Sequence, residues 1–159
     1  MITSRRDYLL RMIDEVTRLL ARALFQRKSG RQQEALQAIV QACERLFSME
    51  AAQLFQFTPD QHFLMLIQGE PPLEARDKVL IYASLCAEAG QVYAELGRPE
   101  MAQASRLNAL RLTLKARATF GSEALPDYAR TPQELLAALP NLSLDPEMTA
   151  WQRQMEKEA

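Results

Sequence analysis

The chain contains the same turn phrase twice, and the distance between the two copies limits the folds it can adopt. The four positions of the first copy recur after 67 residues, close to twice a helix-pair repeat of about 34 residues. The copies consist of Gly30, Arg31, Ala35 and Ala42, and of Gly97, Arg98, Ala102 and Ala109. Each glycine lies between two helix-forming stretches, so the phrase predicts helix hairpins whose helices cross closely at the alanines.

Composition supports an all-α protein. The 159 residues are 48% hydrophobic, enough for a packed core, and include only 5 glycines and 8 prolines. Charged residues interrupt the apolar positions near the N-terminus, among them Asp7, Arg11 and Asp14, so no signal-peptide core and no run of about 20 apolar residues is seen. We therefore expect a cytoplasmic protein that does not enter a membrane.

Apolar spacing of three and four residues, with caps and prolines at helix starts, predicts the individual helices. They are expected over about 5–28, 32–47, a shorter stretch between Thr58 and Gly69, 73–96, 99–120, 132–139 and 146–157. Four prolines occur after Gly121. The sequence thus predicts a helical domain over 1–120 and a proline-containing helical tail over 121–159, which packs on the domain or on a partner protomer.

The stretch 83–116 resembles a tetratricopeptide repeat. The matching positions are Gly90, Tyr93, Gly97, Ala102 and Ala109, and the departures are Cys86, Arg106 and Leu114, where the family often has tryptophan, an aromatic residue and proline. Residues 16–49 match more loosely, and 50–82 have the length of a repeat without its pattern. The resemblance implies a tetratricopeptide-like array of two to three helix-hairpin units.

The beginning of the chain carries a second resemblance. Its Arg-Asp-Tyr-hydrophobic phrase, starting at Arg6, is similar to that of an uncharacterised bacterial family of small helical proteins. This likeness covers about residues 1–120. It implies no activity.

The tetratricopeptide resemblance implies a non-enzymatic adaptor or scaffold that binds a protein or peptide. Arrays of this family present the first helix of each hairpin as a concave wall, which gives a candidate groove. Its residues would be Thr17, Leu20, Leu24, Arg27, Lys28, Ser84, Ala87, Gln91 and Glu95. The family's asparagine clamp for a peptide carboxylate is not evident, because Leu24 and Gln91 hold the matching positions, so no ligand is identified.

Two features favour a homodimer. The expected helix over 99–120 has a second leucine face that needs a partner. The charge is also uneven along the chain: residues 1–31 hold eight Arg/Lys against three Asp/Glu, whereas residues 121–159 hold three against seven. The candidate self-association residues are Leu107, Leu110, Leu114 and Trp151. The acidic tail could instead cap its own array, swap onto a partner or fill the groove as an internal ligand.

The sequence contains no group of residues with the spacing of a catalytic or metal-binding motif, so catalytic residues, a metal and a cofactor are all predicted to be absent. His62 is the single histidine, expected at the surface or partly buried, and no zinc-type spacing occurs. Cys43 and Cys86 fall on apolar faces, where a thiol usually serves as a small hydrophobe. An enzyme is the remote alternative and would need a polar pocket containing Glu88 or Tyr93.

A nucleic-acid or anionic-surface binder is the second alternative. It would use Arg11, Arg18 and Arg22 of the first helix. The interleaved acidic residues and a sequence pI near 5.9 disfavour it. A self-contained bundle that binds nothing also stays open.

Overall fold

The structure is a computed structural model that describes residues 2–158, with side chains over residues 5–157. Within these residues every regular element is a helix, which confirms the all-α fold class. The elements are α1 (Ile2–Lys28), α2 (Gln32–Phe47), α3 (Ala51–Leu54), α4 (Pro59–Ile67), α5 (Pro72–Glu95), α6 (Pro99–Phe120), α7 (Pro132–Ala137) and α8 (Pro146–Glu158). The single-turn α3 is an element that the periodicity did not predict.

Two antiparallel hairpins form the body of the molecule. α1 pairs with α2 and α5 pairs with α6, and α5 also packs on both α1 and α2, so the second hairpin stacks on the first. Gly30 and Gly97 occupy the two turns with φ of 80° and 73°, a backbone conformation that favours glycine. The alanines of the repeated phrase are buried at the helix crossings.

Residues 50–82 do not form a hairpin of their own. α4 begins at a capping box in which Thr58 Oγ1 accepts from the Gln61 amide at 3.2 Å and Gln61 Oε1 accepts from the Thr58 amide at 2.8 Å. α4 then packs on α5 and α6. The body therefore contains two hairpin units, with α3 and α4 as a connection between them.

α5 lies at the centre of the fold. It contacts α1, α2, α4 and α6, and its residues are buried on several sides, as its nearly continuous apolar second half predicts. Gly90 permits the close approach of α6, because a Cβ at this position would lie 2.6 Å from Arg106 Cγ and 3.2 Å from the Ala102 carbonyl oxygen.

The tail packs back on α6 of its own chain. α7 and α8 both contact α6, and Leu135, Leu139 and Met148 form a second apolar cluster with Leu110 and Leu114. This cluster is separate from the main core of the two hairpins.

Candidate functional site: the α1–α5 wall and the strap

The structure brings the two halves of the predicted groove together on neighbouring helices. On α1, Thr17, Leu20, Leu24 and Arg27 are partly exposed and Lys28 is exposed. The α5 half differs from the expectation: Gln91 is partly exposed and Glu95 exposed, but Ser84 and Ala87 are buried. The α5 half of the wall is therefore covered near its middle.

Ser84 is covered by the chain's own segment 121–131, called the strap below, whereas Ala87 is buried in the second apolar cluster with Ala109 and Leu110. Ser84 Oγ donates a hydrogen bond to the Tyr128 carbonyl oxygen at 2.6 Å, and the Tyr128 hydroxyl donates to the Asp77 carbonyl oxygen at 3.0 Å. Leu125, Tyr128 and Ala129 also pack against the main core. One alternative above was that the tail fills the groove as an internal ligand. The strap covers part of the predicted groove in this way, but as an irregular segment and not as a helix.

Arg76 fastens the beginning of the strap. Its guanidinium donates to the carbonyl oxygens of Gly121, Glu123 and Ala124 at 3.3, 2.6 and 3.3 Å, and to Asp77 Oδ1 at 3.0 Å. The side chain is only 1% exposed. A buried cation requires such partners, since desolvation is costly when a charge is left alone.

Sequence reasoning missed Arg76. The local sequence contains no signal for it, because Glu74, Asp77 and Lys78 surround Arg76 in a charged stretch that is typical of an exposed helix start.

A charged network joins the two helices of the wall. Arg27 Nε donates to Glu88 Oε2 at 2.6 Å and Arg27 Nη1 donates to Glu95 Oε2 at 3.0 Å. The hydrogen bond to Glu88 raises the pKa of Arg27, against the opposing effect of burial. Arg130 of the strap approaches the same carboxylate, with Nη2 at 3.9 Å from Glu88 Oε1. The strap therefore ends beside the α1–α5 junction.

Glu88 and Tyr93 are the residues that the enzyme alternative would place in a polar pocket. Glu88 is ion-paired with Arg27, and Tyr93 is partly buried on α5.

His62 is buried, so the expectation of a surface or partly buried residue was wrong. It is 5% exposed and packs against Phe47 and Tyr82. Nε2 lies 2.9 Å from the Leu54 carbonyl oxygen, which can only accept, and the Tyr82 hydroxyl lies 3.0 Å from Nδ1. The neutral imidazole satisfies both contacts, with the proton on Nε2. Burial lowers the pKa of His62.

Both cysteines lie in the main core. Cys43 is buried and Cys86 partly buried. Burial raises the pKa of the Cys43 thiol well above its ordinary value and that of Cys86 to about 12. Thiols of this kind are protonated near neutral pH and are poor nucleophiles.

The predicted self-association face is occupied within the chain, which corrects the interpretation of its leucines as spare. Leu110 and Leu114 are 0% exposed beneath the tail, and Leu107 packs on the same cluster. The Trp151 ring contacts two cations: its centroid lies 5.0 Å from the Arg111 guanidinium carbon and 5.8 Å from Lys115 Nζ. The homodimer stays a prediction; of these four residues Leu110 and Leu114 are covered within the chain, and Leu107 and Trp151 are partly exposed.

The arginines of the first helix lie at the surface. Arg18 pairs with Asp14 at 2.8 Å, Arg11 Nε contacts the Asp7 carbonyl oxygen at 3.4 Å, and Arg22 is exposed. Within the described part of the chain, no helix has the length and apolarity needed to cross a bilayer. Among the same residues, no group of three or more histidine, cysteine, aspartate or glutamate side chains is placed to hold a metal ion.

Comparison with known proteins gives no match, whether to family models, to curated proteins or to solved structures. The tetratricopeptide resemblance therefore stays a prediction from the residues.

Proposed function

We propose that this protein is a non-enzymatic adaptor that binds an irregular segment of a partner protein on the α1–α5 wall. The observation that carries the proposal is the strap itself, because α5 already holds an irregular chain segment through contacts to its backbone. Ser84 donates to a strap carbonyl, and the Asp77 carbonyl accepts from a strap side chain. Contacts to the main chain suit an irregular peptide of varied sequence.

The two parts of the strap are held differently, which identifies the part a partner would replace. The turn at 121–124 is fastened by the buried Arg76. Displacement of this turn would remove three carbonyl acceptors from the buried guanidinium and leave it with the hydrogen bond to Asp77. The following residues are held by the two hydrogen bonds of Tyr128, by apolar contacts and by the long Arg130–Glu88 approach. We therefore assign 125–131 as the exchangeable part and 121–124 as a permanent anchor.

The α1 side of the wall extends the same surface. Leu20 and Leu24 are partly exposed. Partly exposed apolar side chains beside a backbone-binding wall offer contacts for the side chains of a partner segment. The partner is thus expected to be irregular and to carry aromatic or aliphatic residues like those at Leu125 and Tyr128.

A peptide supplied in trans tests the proposal on the full-length chain. The probe is a fluorescein-labelled peptide of residues 125–131, the exchangeable part, and fluorescence anisotropy measures its binding. Tyr128→Ala loosens the strap and leaves the wall intact, so this variant should bind the probe at least tenfold more tightly than the unaltered protein. Failure of the folded Tyr128→Ala protein to bind the probe would refute the proposed wall.

A serine pair supplies the matched control. In the Tyr128→Ala background, Ser84→Ala removes one donor to the bound backbone and should weaken binding about fivefold, which corresponds to roughly 1 kcal/mol for one hydrogen bond. Ser29→Ala changes an exposed serine of the turn between α1 and α2 and should leave binding unchanged. Equal effects of the two serine substitutions would contradict the assignment of the wall.

A further inference from the structure

A second feature, independent of the wall, lies at the N-terminal end of the first hairpin. α1, the end of α2 and the beginning of α5 enclose a cleft of about 200 Å³. Three cations line it, one from each helix: Arg5, Arg45 and Lys78. Apolar side chains from α1 and α2 complete the lining at Leu9, Met12 and Leu46. The volume is suited to a small ion and not to a folded segment.

The two arginines are held in place by their own partners. Arg5 Nη2 donates to the Gly69 carbonyl oxygen at 2.8 Å and to Glu70 Oε1 at 3.0 Å. Arg45 donates to Glu15 at 2.6 Å and to the Tyr8 hydroxyl at 3.2 Å. These contacts orient the guanidinium groups before any ligand arrives, and such preorganisation lowers the entropic cost of binding.

Lys78 differs from the two arginines. It is partly buried, and within residues 5–157 its ammonium has no hydrogen bond and no carboxylate within 4 Å. Burial, reinforced by the charge of Arg5, lowers the pKa of Lys78, and Glu70 opposes this only in part. Among the same residues, Lys78 Nζ is not one of the fully buried polar atoms that lack a partner, so solvent in the cleft solvates it, and an anion of matching charge could take the place of that solvent.

The charges around the cleft do not balance. The three cations face Glu70 in the lining and Glu15 behind Arg45. One positive charge is therefore left uncompensated, and it is the charge of Lys78. The cations approach from three helices, a geometry that matches the several oxygens of a tetrahedral anion better than the planar pair of a carboxylate.

We propose that the cleft between Arg5, Arg45 and Lys78 binds a phosphate group. Lys78 serves as the principal ligand, and the two arginines complete the cationic surround. The competing explanation is that Lys78 only offsets the negative end of the α2 helix dipole, since Ser48 at the end of α2 also lines the cleft. The two explanations make different predictions, because only the phosphate site requires that the binding of added phosphate depends on Lys78.

Calorimetric titration of the full-length protein with inorganic phosphate, at constant ionic strength and pH 7.5, tests the site. Saturable binding is expected, and Lys78→Met should weaken it at least tenfold. Lys78→Arg keeps the charge and should retain binding within about threefold. Arg22→Met removes an exposed cation of α1 outside the cleft and should change nothing. Absence of binding, or equal binding by Lys78→Met, would overturn the proposal and leave the helix dipole as the explanation.

Two further measurements extend the test. The first uses the unaltered protein, so it does not depend on the folding of a variant, and the second distinguishes a phosphomonoester from the free ion. In the unaltered protein, NMR of labelled lysine should show the pKa of Lys78 rising when phosphate is added, and an unchanged pKa would count against the site. Phenyl phosphate binding more tightly than inorganic phosphate would assign a phosphomonoester, and the reverse order would assign the free ion. Acetate binding as tightly as phosphate would overturn the phosphate assignment.

Discussion

Glu88 of α5 accepts two hydrogen bonds from the Arg27 guanidinium of α1, at 2.6 and 3.2 Å, while only 1% of its side chain is exposed. The pair joins the first helices of the two hairpins, so it fixes the wall on which the proposed function depends. A buried carboxylate that loses its partner is strongly destabilising, whereas an exposed ion pair contributes little.

The first prediction concerns this pair. Arg27→Met should lower the free energy of unfolding by about 3 kcal/mol, the lower end of the range for a broken buried ion pair, because Arg130 stays near Glu88. Urea unfolding followed by circular dichroism measures the change. Lys28→Met is the matched control, since Lys28 is exposed, and should stay within about 0.5 kcal/mol. A loss below about 1 kcal/mol in Arg27→Met would contradict the role assigned to the pair.

The second prediction concerns the crossing of α5 and α6. Helix propensity alone would make Gly90→Ala stabilising by about 0.8–1.0 kcal/mol. The added Cβ would lie 2.6 Å from Arg106 Cγ, an atom too near the backbone to move freely, so we expect a net loss of about 1–3 kcal/mol. Thermal and urea unfolding decide the sign.

Substitution of Arg106, the neighbour of Gly90, separates the steric effect of the added Cβ from the effect of helix propensity. Arg106→Ala should recover part of the loss in Gly90→Ala, because it removes the Cγ and leaves only the Ala102 carbonyl contact at 3.2 Å. Gly97→Ala should not be rescued in this way, since Gly97 has open space around it and a φ of 73°. Additive effects of the Gly90 and Arg106 substitutions would show that steric contact does not limit this crossing.

The hairpins could be predicted from the sequence because their determinants are local. Glycine turns, proline starts and apolar spacing act within a few residues, and they placed α2 and α6 at their observed bounds. The same logic placed the start of α4 at Thr58-Pro59, where the capping box forms. The alanine spacing indicated the helix crossings for the same reason.

The packing of the tail was predicted, but the surfaces that it covers could not be, because they depend on contacts between distant residues. Leu110 and Leu114 have the spacing of a free apolar face, and nothing in α6 itself indicates that Leu135 and Met148 cover them. Ser84 was assigned to an open groove for the same reason, yet Tyr128, 44 residues later, covers it. His62 gave no sequence signal of its buried contacts with Leu54 and Tyr82.

The third prediction concerns pH. The pKa of His62 is lowered in the folded protein from 6.5, so the unfolded chain binds more protons as the pH falls through this value. Neutral His62 therefore makes its full contribution to the free energy of unfolding above pH 6.5. This contribution is lost as the pH falls from 6.5 towards the lowered pKa of the folded state. Urea midpoints between pH 5 and 8 should decrease on the acidic side.

The histidine supplies its own control. His62→Gln removes the single histidine of the chain and should flatten the slope between pH 5 and 6.5, although overall stability falls. Tyr82→Phe removes the hydroxyl near Nδ1 and should keep a slope, because burial is the main cause of the shift. A slope of unchanged size in His62→Gln would assign the pH dependence to other groups.

The fourth prediction concerns the docking of the tail. Arg111 of α6 donates to both carboxylate oxygens of Asp60, at 3.0 and 2.9 Å, and stacks on Trp151 of α8. Arg111→Lys keeps the charge but loses the paired donors and the planar stacking surface. We expect a loss of about 1–2 kcal/mol, in the range of a hydrogen bond to a charged group combined with an exposed cation–π contact.

Trp151 reports this docking directly, because it is the only tryptophan of the chain. Arg111→Lys should shift its emission to longer wavelength as α8 loosens, and acrylamide quenching should increase. Arg22→Lys, on the exposed surface of α1, should leave both signals unchanged. If Arg111→Lys loses stability without any change in the Trp151 signals, then Arg111 acts through Asp60 on α4, and the apolar cluster of Leu110, Leu135 and Met148 is sufficient to hold the tail.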